Sequence, residues 1–174
     1  MLEQFKRVKT ISPQTRRRLD IQGFTEVDEN LLIQTASWLR FAFVLCTILA
    51  ALGTAMASYI VLYLLVPIAA LGAIFRTHPF DLIYNYEIRH LTGTPALPKR
   101  GAPNRFACGL GSIWLIATAF MFQSGHNTAG YILGASLTCV GLLVSTIDFC
   151  IPSLIYRIIF GFPPKREEIK SQTT

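Results

Sequence analysis

Residues 41–75, FAFVLCTILAALGTAMASYIVLYLLVPIAALGAIF, set the architecture, because they contain no charged residue in 35 positions. About 20 apolar residues cross the hydrocarbon core of a bilayer as one helix, so this stretch is too long for one span and about right for two. The small, mildly polar segment GTAMAS, residues 53–58, marks the turn between them. The sequence therefore predicts a hairpin of two transmembrane helices, at about 36–55 and 58–76.

A second stretch, residues 106–147, repeats this arrangement with only the titratable His126 inside it. Residues 123–130, QSGHNTAG, form a turn by composition, which predicts spans at about 105–123 and 129–151. The whole chain is 52% hydrophobic and 15% charged, against about 25% charged residues in soluble domains. We therefore predict an all-α integral membrane bundle of four transmembrane helices.

All 16 lysines and arginines fall on one side of this four-span arrangement. They lie before helix 1 or at its start, in the central loop and in the C-terminal segment, so the positive-inside rule places both termini in the cytoplasm. No apolar stretch typical of a signal peptide precedes the spans, and we expect an uncleaved multipass protein. The net charge of +6 follows from this topology, with lipid headgroups as the expected partner. The short RRR tract at 16–18 does not indicate nucleic-acid binding.

The segments outside the spans divide the chain into three parts. We expect a flexible basic cytoplasmic tail at 1–26, the transmembrane domain at 27–161 and a second cytoplasmic tail at 162–174. A cytoplasmic amphipathic helix is predicted between helices 2 and 3, because apolar residues there lie near one helical stripe. The apolar residues are Phe80, Ile83, Tyr84, Ile88 and Leu91, and the polar residues opposite them are Asp81, Asn85, Glu87 and Arg89.

Amphipathic rings and basic side chains at the ends of the spans are typical membrane-interface anchors. The residues assigned this role are Trp38, Arg40, Arg105, Tyr156 and Arg157. On helix 4, Gly130 and Gly134 form a small-xxx-small pattern, which allows another helix to approach closely. That helix could belong to the same chain, to a second copy in a homo-oligomer or to another membrane protein.

Two of the four cysteines, Cys108 and Cys150, are candidates for chemistry. Cys108 lies three residues after Arg105, and Cys150 lies about 20 residues into helix 4, which returns to the same side. With a rise of about 1.5 Å per residue, both reach the same depth, so a thiol pair is one hypothesis. A permanent disulfide is disfavoured on the reducing cytoplasmic side. Cys46 and Cys139 fall in mid-span and are expected to be ordinary apolar side chains.

Asp148 is the only carboxylate within a predicted span, where ionisable residues are costly and often functional. It lies near the interface and could pair with Arg105 or Arg40, while a proton- or ligand-handling role stays open. Pro152 lacks a backbone N–H and is expected to bend or end helix 4.

Recognisable motifs for metals, nucleotides or catalysis are not found in the sequence. His78, His90 and His126 do not have metal-ligand spacing, and no CxxC motif occurs. We therefore expect no metal and no cofactor, and the absence of catalytic motifs favours a protein that is not an enzyme.

Four segments carry a family resemblance: VDEN at 27–30, FDLIYNYEIRHLTGTPALP at 80–98, APNRFACGLG at 102–111 and DFCIPSLIYR at 148–157. Together they resemble the bacterial four-helix membrane family catalogued as domain of unknown function 4395, over about residues 26–161. The resemblance implies an integral inner-membrane protein of unassigned activity. Relatives often carry a second cysteine a few residues after the position of Cys150, where this chain has Ser153. Some relatives accompany thioredoxin- or rhodanese-like proteins, which implies thiol or sulfur chemistry with such partners.

Three functions stay open from the sequence. The first expectation is a small non-enzymatic subunit or scaffold of a membrane assembly, because the loops opposite the basic segments are short and no catalytic motif occurs. The second is a thiol-redox or sulfur-handling protein that uses Cys108 and Cys150, with Asp148 adjusting thiolate formation. The third is an oligomeric small-solute carrier that depends on Asp148.

Overall fold

The computed structural model describes residues 11–163, and within this range the chain is helical without a strand. The all-α class predicted from the hydropathy pattern is therefore confirmed. The helices are α1 (Pro13–Gln22), α2 (Glu29–Thr35), a 3-10 turn (Trp38–Arg40), α3 (Phe41–Ala55), α4 (Tyr59–Ile74), α5 (Pro79–Ile83), a π turn (Tyr84–Ile88), α6 (Arg89–Thr92), α7 (Ala102–Gln123), α8 (Asn127–Ile147) and α9 (Ile151–Phe160).

Three helical segments in the described range are long and apolar enough to cross a membrane, namely Trp38–Ala55, α7 and α8. The shorter α4 meets the same criterion only when it is joined to the helical segment Pro79–Thr92, from which it is bent by 81°. The number of candidate spans is therefore three, or four if the bent pair counts as one span. The helical segment between α4 and α7 occupies the place where the sequence predicts an amphipathic helix.

The two hairpins, α3–α4 and α7–α8, lie against each other. Helix α4 packs along α7 and α3 packs along α8, and the centre is filled by small and aliphatic side chains. Gly130 faces Phe122 of α7, where a Cβ atom would lie 2.7 Å from the ring. Gly134 packs in the same way against Thr54 of α3. The close approach predicted at these two glycines is thus made to helices of the same chain.

One end of the bundle, which we name the capped end, is covered by the short helices. It is the end where α3 and α7 begin and where α4 and α8 end. There α1 contacts α7 and α9, and α5 contacts α3 and α4. A second apolar cluster, which includes Leu19, Leu32, Leu39 and Tyr84, joins α1 and α2 to the 3-10 turn and the π turn. The capped end is therefore a packed layer with a core of its own.

Residues 11–26 differ from the flexible tail that the sequence predicts, because they contain α1 and buried side chains. Ser12 accepts a hydrogen bond from the backbone N–H of Thr15 at the start of α1, and Gly23 ends the helix in a left-handed conformation (φ 101°). Leu19 and Phe24 are buried. The remaining parts of the predicted tails, 1–10 and 164–174, lie outside the described residues.

The predicted fourth span, 129–151, is divided into two helices. Helix α8 ends at Ile147, because Asp148 adopts a left-handed backbone conformation (φ 56°). Helix α9 begins at Ile151 and has Pro152 in its first turn, where the missing N–H is not needed. Pro152 therefore starts a helix rather than bending one, and Cys150 lies at the junction.

Candidate functional site

A cavity of about 430 Å³ lies towards the capped end, between α3, α4, α7, α8 and the start of α9. Its wall is almost entirely apolar, and it carries three of the four cysteines together with one histidine. We name it the thiol cavity after Cys46, Cys108, Cys150 and His78. Cys139, the fourth cysteine, is exposed on α8 and does not take part.

His78 lies in the break between α4 and α5, where it is 3% exposed. Its Nδ1 atom accepts a hydrogen bond from the backbone N–H of Phe80 at 3.2 Å, which caps α5. A ring nitrogen that accepts carries no hydrogen, so the imidazole is neutral and its hydrogen is on Nε2. Nε2 lies 3.9 Å from Sγ of Cys46, which is long for a hydrogen bond. The Nε2–H group is therefore a weakly satisfied donor in the cavity wall.

Cys108 contributes to the thiol cavity from α7. Gly72 of α4 makes room for it, since a Cβ atom at Gly72 would lie 3.3 Å from Sγ of Cys108 and 3.0 Å from Nε2 of His78. Cys46 and Cys150 line the same cavity as Cys108. The two thiols that the sequence singles out, Cys108 and Cys150, are thus brought to one cavity.

Cys150 is buried at the junction between α8 and α9, in one apolar cluster with Val144 and with Ala107, the residue before Cys108. The hydroxyl of Ser153 lies 3.1 Å from Sγ of Cys150 and 3.2 Å from the carbonyl oxygen of Pro103. Burial raises the pKa of the Cys150 thiol, and hydrogen bonds from Ser153 oppose this effect in part. The Cys150 thiol is therefore neutral at pH 7.

A buried ion pair lies at the capped end of the cavity. The Arg100 guanidinium donates to the Asp81 carboxylate and to Oδ1 of Asn104, and it stands over the ring of Phe43 with its Cζ atom 4.8 Å from the centroid. Burial alone lowers the pKa of Arg100, but the charge of Asp81 and their hydrogen bonds raise it above its ordinary value. The sequence places Asp81 on the polar face of a surface helix, whereas the structure buries it because Arg100 folds back over it.

Asp148 is held by Arg40, one of the two arginines that the sequence offers as partners. Nε of Arg40 donates to Oδ1 of Asp148 at 2.7 Å, and Nη2 bonds the other carboxylate oxygen. Nη1 of Arg40 also donates to the carbonyl oxygen of Thr146. Asp148 is buried but does not line the thiol cavity. The structure therefore separates it from the wall formed by the thiols that it was expected to influence.

The two other predicted arginine anchors bind helix ends of the same chain. Nε of Arg105 donates to the carbonyl oxygen of Ala73 at 2.9 Å, near the end of α4. Nε of Arg157 donates to the carbonyl oxygen of Ile21 at 3.0 Å, near the end of α1. The last carbonyl groups of a helix have no hydrogen-bond partner within the helix. The guanidinium groups of these arginines serve as their partners.

The two predicted aromatic anchors also pack against the chain. The ring of Trp38 lies 5.0 Å from that of Tyr84, centroid to centroid. The ring of Tyr156 lies 5.6 Å from that of Phe106. The position of these side chains relative to a bilayer stays a prediction.

Cys46 and His78 are cavity residues that the sequence analysis did not identify. The sequence places Cys46 in mid-span, but it lies only six residues after Arg40 and near the capped end. The short distance in sequence from Arg40 is the signal that indicates this depth, just as the distance from Arg105 does for Cys108. His78 carries no such signal, because its position depends on the sharp bend after α4.

Metal binding finds no support in the part of the chain between residues 11 and 163, where no group of three His, Cys, Asp or Glu side chains could hold an ion. Cys46 and His78 approach each other to 3.9 Å, measured from Sγ to Nε2. Nε2 of His78, the atom closest to Cys46, carries a hydrogen and so has no free lone pair for a metal.

Comparison with protein-family models matches residues 36–160 to the family described as a domain of unknown function (DUF4395). The chain belongs to this family. The match includes both hairpins of this DUF4395 protein and all the residues that define the thiol cavity, and it confirms the resemblance found in the sequence. No curated protein and no solved structure matches the chain.

Proposed function

We propose that this DUF4395 protein is a thiol-redox membrane protein in which Cys108 and Cys150 form the reacting pair. The observation that carries the proposal is the convergence of three cysteines on one cavity from three different parts of the chain. A cysteine in an apolar helix behaves as a small apolar residue and needs no particular neighbour. The convergence of three cysteines beside the neutral imidazole of His78 favours a role in thiol chemistry over a role in helix packing alone.

The proposed reaction is reversible formation of a disulfide. Cys108 and Cys150 each lose one electron and one proton to an acceptor, and a bond forms between their sulfur atoms. A reducing thiol returns the pair to the dithiol state. Cys46 stands in the same wall and is a second neighbour for Cys108.

This proposal ranks thiol chemistry above the non-enzymatic subunit that the sequence favours first. A protein that only packs against partners needs no thiols gathered in one place, whereas three of the four cysteines line this cavity. The proposal also ranks above the solute carrier, because Asp148 is fully engaged by Arg40 outside the cavity wall.

The proposal includes a location in the bacterial inner membrane, with four spans and the capped end in the cytoplasm. Its support is the distribution of lysine and arginine: the turns at 56–58 and 124–126 carry neither, whereas the capped end carries Arg40, Arg100 and Arg105. In a reducing compartment the resting state is the dithiol. Thioredoxin- or rhodanese-like proteins are the proposed partners that restore it.

The test is disulfide formation in native membranes with a variant that lacks Cys46 and Cys139. Mild oxidation with diamide should join Cys108 and Cys150, as seen by mass spectrometry of the linked peptides, and dithiothreitol should reverse it. A matched variant that retains only Cys108 and Cys139 should stay reduced, because Cys139 lies on the outer surface. If both thiols remain singly alkylatable after oxidation, the redox proposal is rejected and the subunit becomes the leading function.

A further inference from the structure

One hydrogen-bond donor in the thiol cavity is left for a ligand. Thr47 in the cavity wall already donates to the carbonyl oxygen of Phe43 at 2.7 Å, and Nε1 of Trp114 donates to that of Leu133 at 3.1 Å. The Nε2–H group of His78 has only the long contact with the Cys46 sulfur, and the described residues offer it no other acceptor. An acceptor atom inside the cavity would complete this hydrogen bond.

The cavity is accessible from the apolar outer surface of the bundle. Its wall includes Ile155, which is 41% exposed, and the half-buried Leu110 and Pro152. A molecule dissolved in the bilayer can therefore reach the thiols without crossing water. The volume of about 430 Å³ lies within the range of small-molecule sites, about 300 to 1,000 Å³.

We infer that the thiol cavity binds the ring of a quinone-class molecule from the bilayer, that Nε2–H of His78 donates to one of its carbonyl oxygens, and that this quinone oxidises Cys108 and Cys150. The inference rests on the proposed thiol function, for which the quinone is the oxidant. A quinone meets four requirements of the site: it dissolves in the bilayer, it has a flat ring, it offers a carbonyl acceptor and it takes up two electrons with two protons. The flat ring suits a wall that contains Phe43 and Trp114.

The oxidation balances without another reactant. Cys108 and Cys150 each give up one hydrogen atom, and the two sulfur atoms form a disulfide bond. The quinone takes both hydrogen atoms, and its two carbonyl groups become the two hydroxyl groups of the hydroquinone. Reactants and products are all neutral, so no net charge is left in the apolar cavity, where an unpaired ion is costly.

His78 acts in this scheme by binding and orienting the ring. Its Nδ1 atom is occupied by the N–H of Phe80, so the imidazole keeps its Nε2 hydrogen and transfers no proton. Removal of the Nε2–H group should therefore weaken quinone binding while leaving the thiols able to react with other oxidants.

The binding test uses the purified full chain in nanodiscs and decylubiquinone as the probe. Trp114 lies in the cavity wall and reports bound quinone through quenching of its fluorescence. The chain has two tryptophans, and the background variant Trp38→Phe removes the other one. Decylbenzene, which has the same tail and no carbonyl group, is the control ligand, added as a competitor.

His78→Asn is the variant of choice because it preserves the helix cap. An asparagine oxygen can still accept the N–H of Phe80, whereas its shorter side chain withdraws the donor from the cavity. We expect quinone affinity to fall about 3- to 10-fold, the usual effect of one hydrogen bond. The exposed His90→Asn is the matched control and should bind like the unaltered protein. Competition by decylbenzene should be equal in all three proteins.

Two results would overturn the binding site: quenching that does not saturate, and equal quinone affinity in His78→Asn and the unaltered protein. The redox step has its own readout, in which anaerobic decylubiquinone should convert the reduced protein to the Cys108–Cys150 disulfide with one equivalent of hydroquinone. If the thiols stay reduced with quinone but are joined by diamide, the inference fails and the thiol function stands. If neither oxidant joins them, the thiol function fails as well.

Discussion

Arg100 holds the carboxylate of Asp81 with two hydrogen bonds, 2.5 Å from Nε and 2.8 Å from Nη2, and the two side chains are only 1% and 3% exposed. This pair ties the loop before α7 to the first turn of α5 and so fixes the segment that carries His78. The net contribution of a buried ion pair to stability is small, because both charges lose their hydration. Loss of one partner is a different matter, since it leaves the other charge buried and unpaired.

The first prediction concerns this pair. We expect Arg100→Met to reduce the free energy of unfolding by about 3 to 5 kcal/mol, because Asp81 is left without a counter-charge. The double variant Arg100→Met with Asp81→Leu should regain much of that loss. The exposed neighbour Lys99→Met is the control and should change stability by less than about 0.5 kcal/mol. Unfolding in mixed detergent micelles measures all three, and a double variant no more stable than Arg100→Met would contradict the prediction.

The second prediction concerns Gly72, whose missing side chain makes room for His78 and Cys108. Gly72→Ala should lower stability by about 1 to 3 kcal/mol, because the added methyl group displaces the imidazole. Gly109→Ala is the matched change on α7, where the nearest atom, Cβ of Ala73, is 3.7 Å from the new methyl group. It should be neutral or stabilising, since alanine favours a helix over glycine. Equal thermal midpoints for the two variants would argue against a tight fit at Gly72.

The third prediction concerns the pH dependence of Cys150 alkylation in a variant without the other three cysteines. The thiolate is the reactive form, and burial raises the pKa of Cys150 above its ordinary value of 9.0. The rate of reaction with iodoacetamide should therefore rise at higher pH in the folded protein than in the same protein unfolded in dodecyl sulfate.

Ser153→Ala provides the paired measurement for Cys150. The Ser153 hydroxyl donates to the Cys150 sulfur and favours the thiolate, so its removal should move the alkylation profile of the folded protein to still higher pH. The unfolded protein should not respond to this substitution. Identical profiles for the folded and unfolded forms would show that Cys150 is not buried.

The fourth prediction separates the two roles of Asp148, its pairing with Arg40 and its left-handed backbone. Asp148→Gly and Asp148→Ala both remove the carboxylate, but only alanine is strained at φ 56°. Asp148→Ala should therefore be less stable than Asp148→Gly by about 1 kcal/mol. Asp148→Asn keeps a residue that tolerates this conformation and isolates the loss of charge. A ranking with alanine above glycine in thermal unfolding would contradict the structure at the end of α8.

Hydropathy was sufficient to predict the two hairpins, because residues 41–75 and 106–147 have no other stable place than an apolar environment. It could not predict α1, whose ten residues PQTRRRLDIQ are mostly polar. Burial of α1 depends on contacts with residues more than 100 positions away, such as the bond from Gln22 to the carbonyl oxygen of Asp148. Local pattern carries no information about such contacts.

Equal depth in two helices was the basis for pairing Cys108 with Cys150, and the structure does bring both to one cavity. The inclusion of Cys46 depends on the rotation of α3 about its own axis, which periodicity does not give for a helix that is apolar on all sides. The presence of His78 depends on the bend after α4. Both are consequences of tertiary packing, so they become visible only once the helices are assembled.

The docking of α1 fixes the order in which the protein is completed during synthesis. Helix α1 emerges from the ribosome first among the described helices, yet its partner Arg157 is 136 residues further along the chain from Ile21. Helix α1 cannot complete its contacts until α9 has been synthesised. The same holds for the thiol cavity, because Cys150 and Ile155 of its wall come with that helix. A nascent chain that ends between residues 108 and 149 carries Cys46 and Cys108 without their third thiol. The dithiol is therefore among the last features to form, after almost the whole chain has been translated.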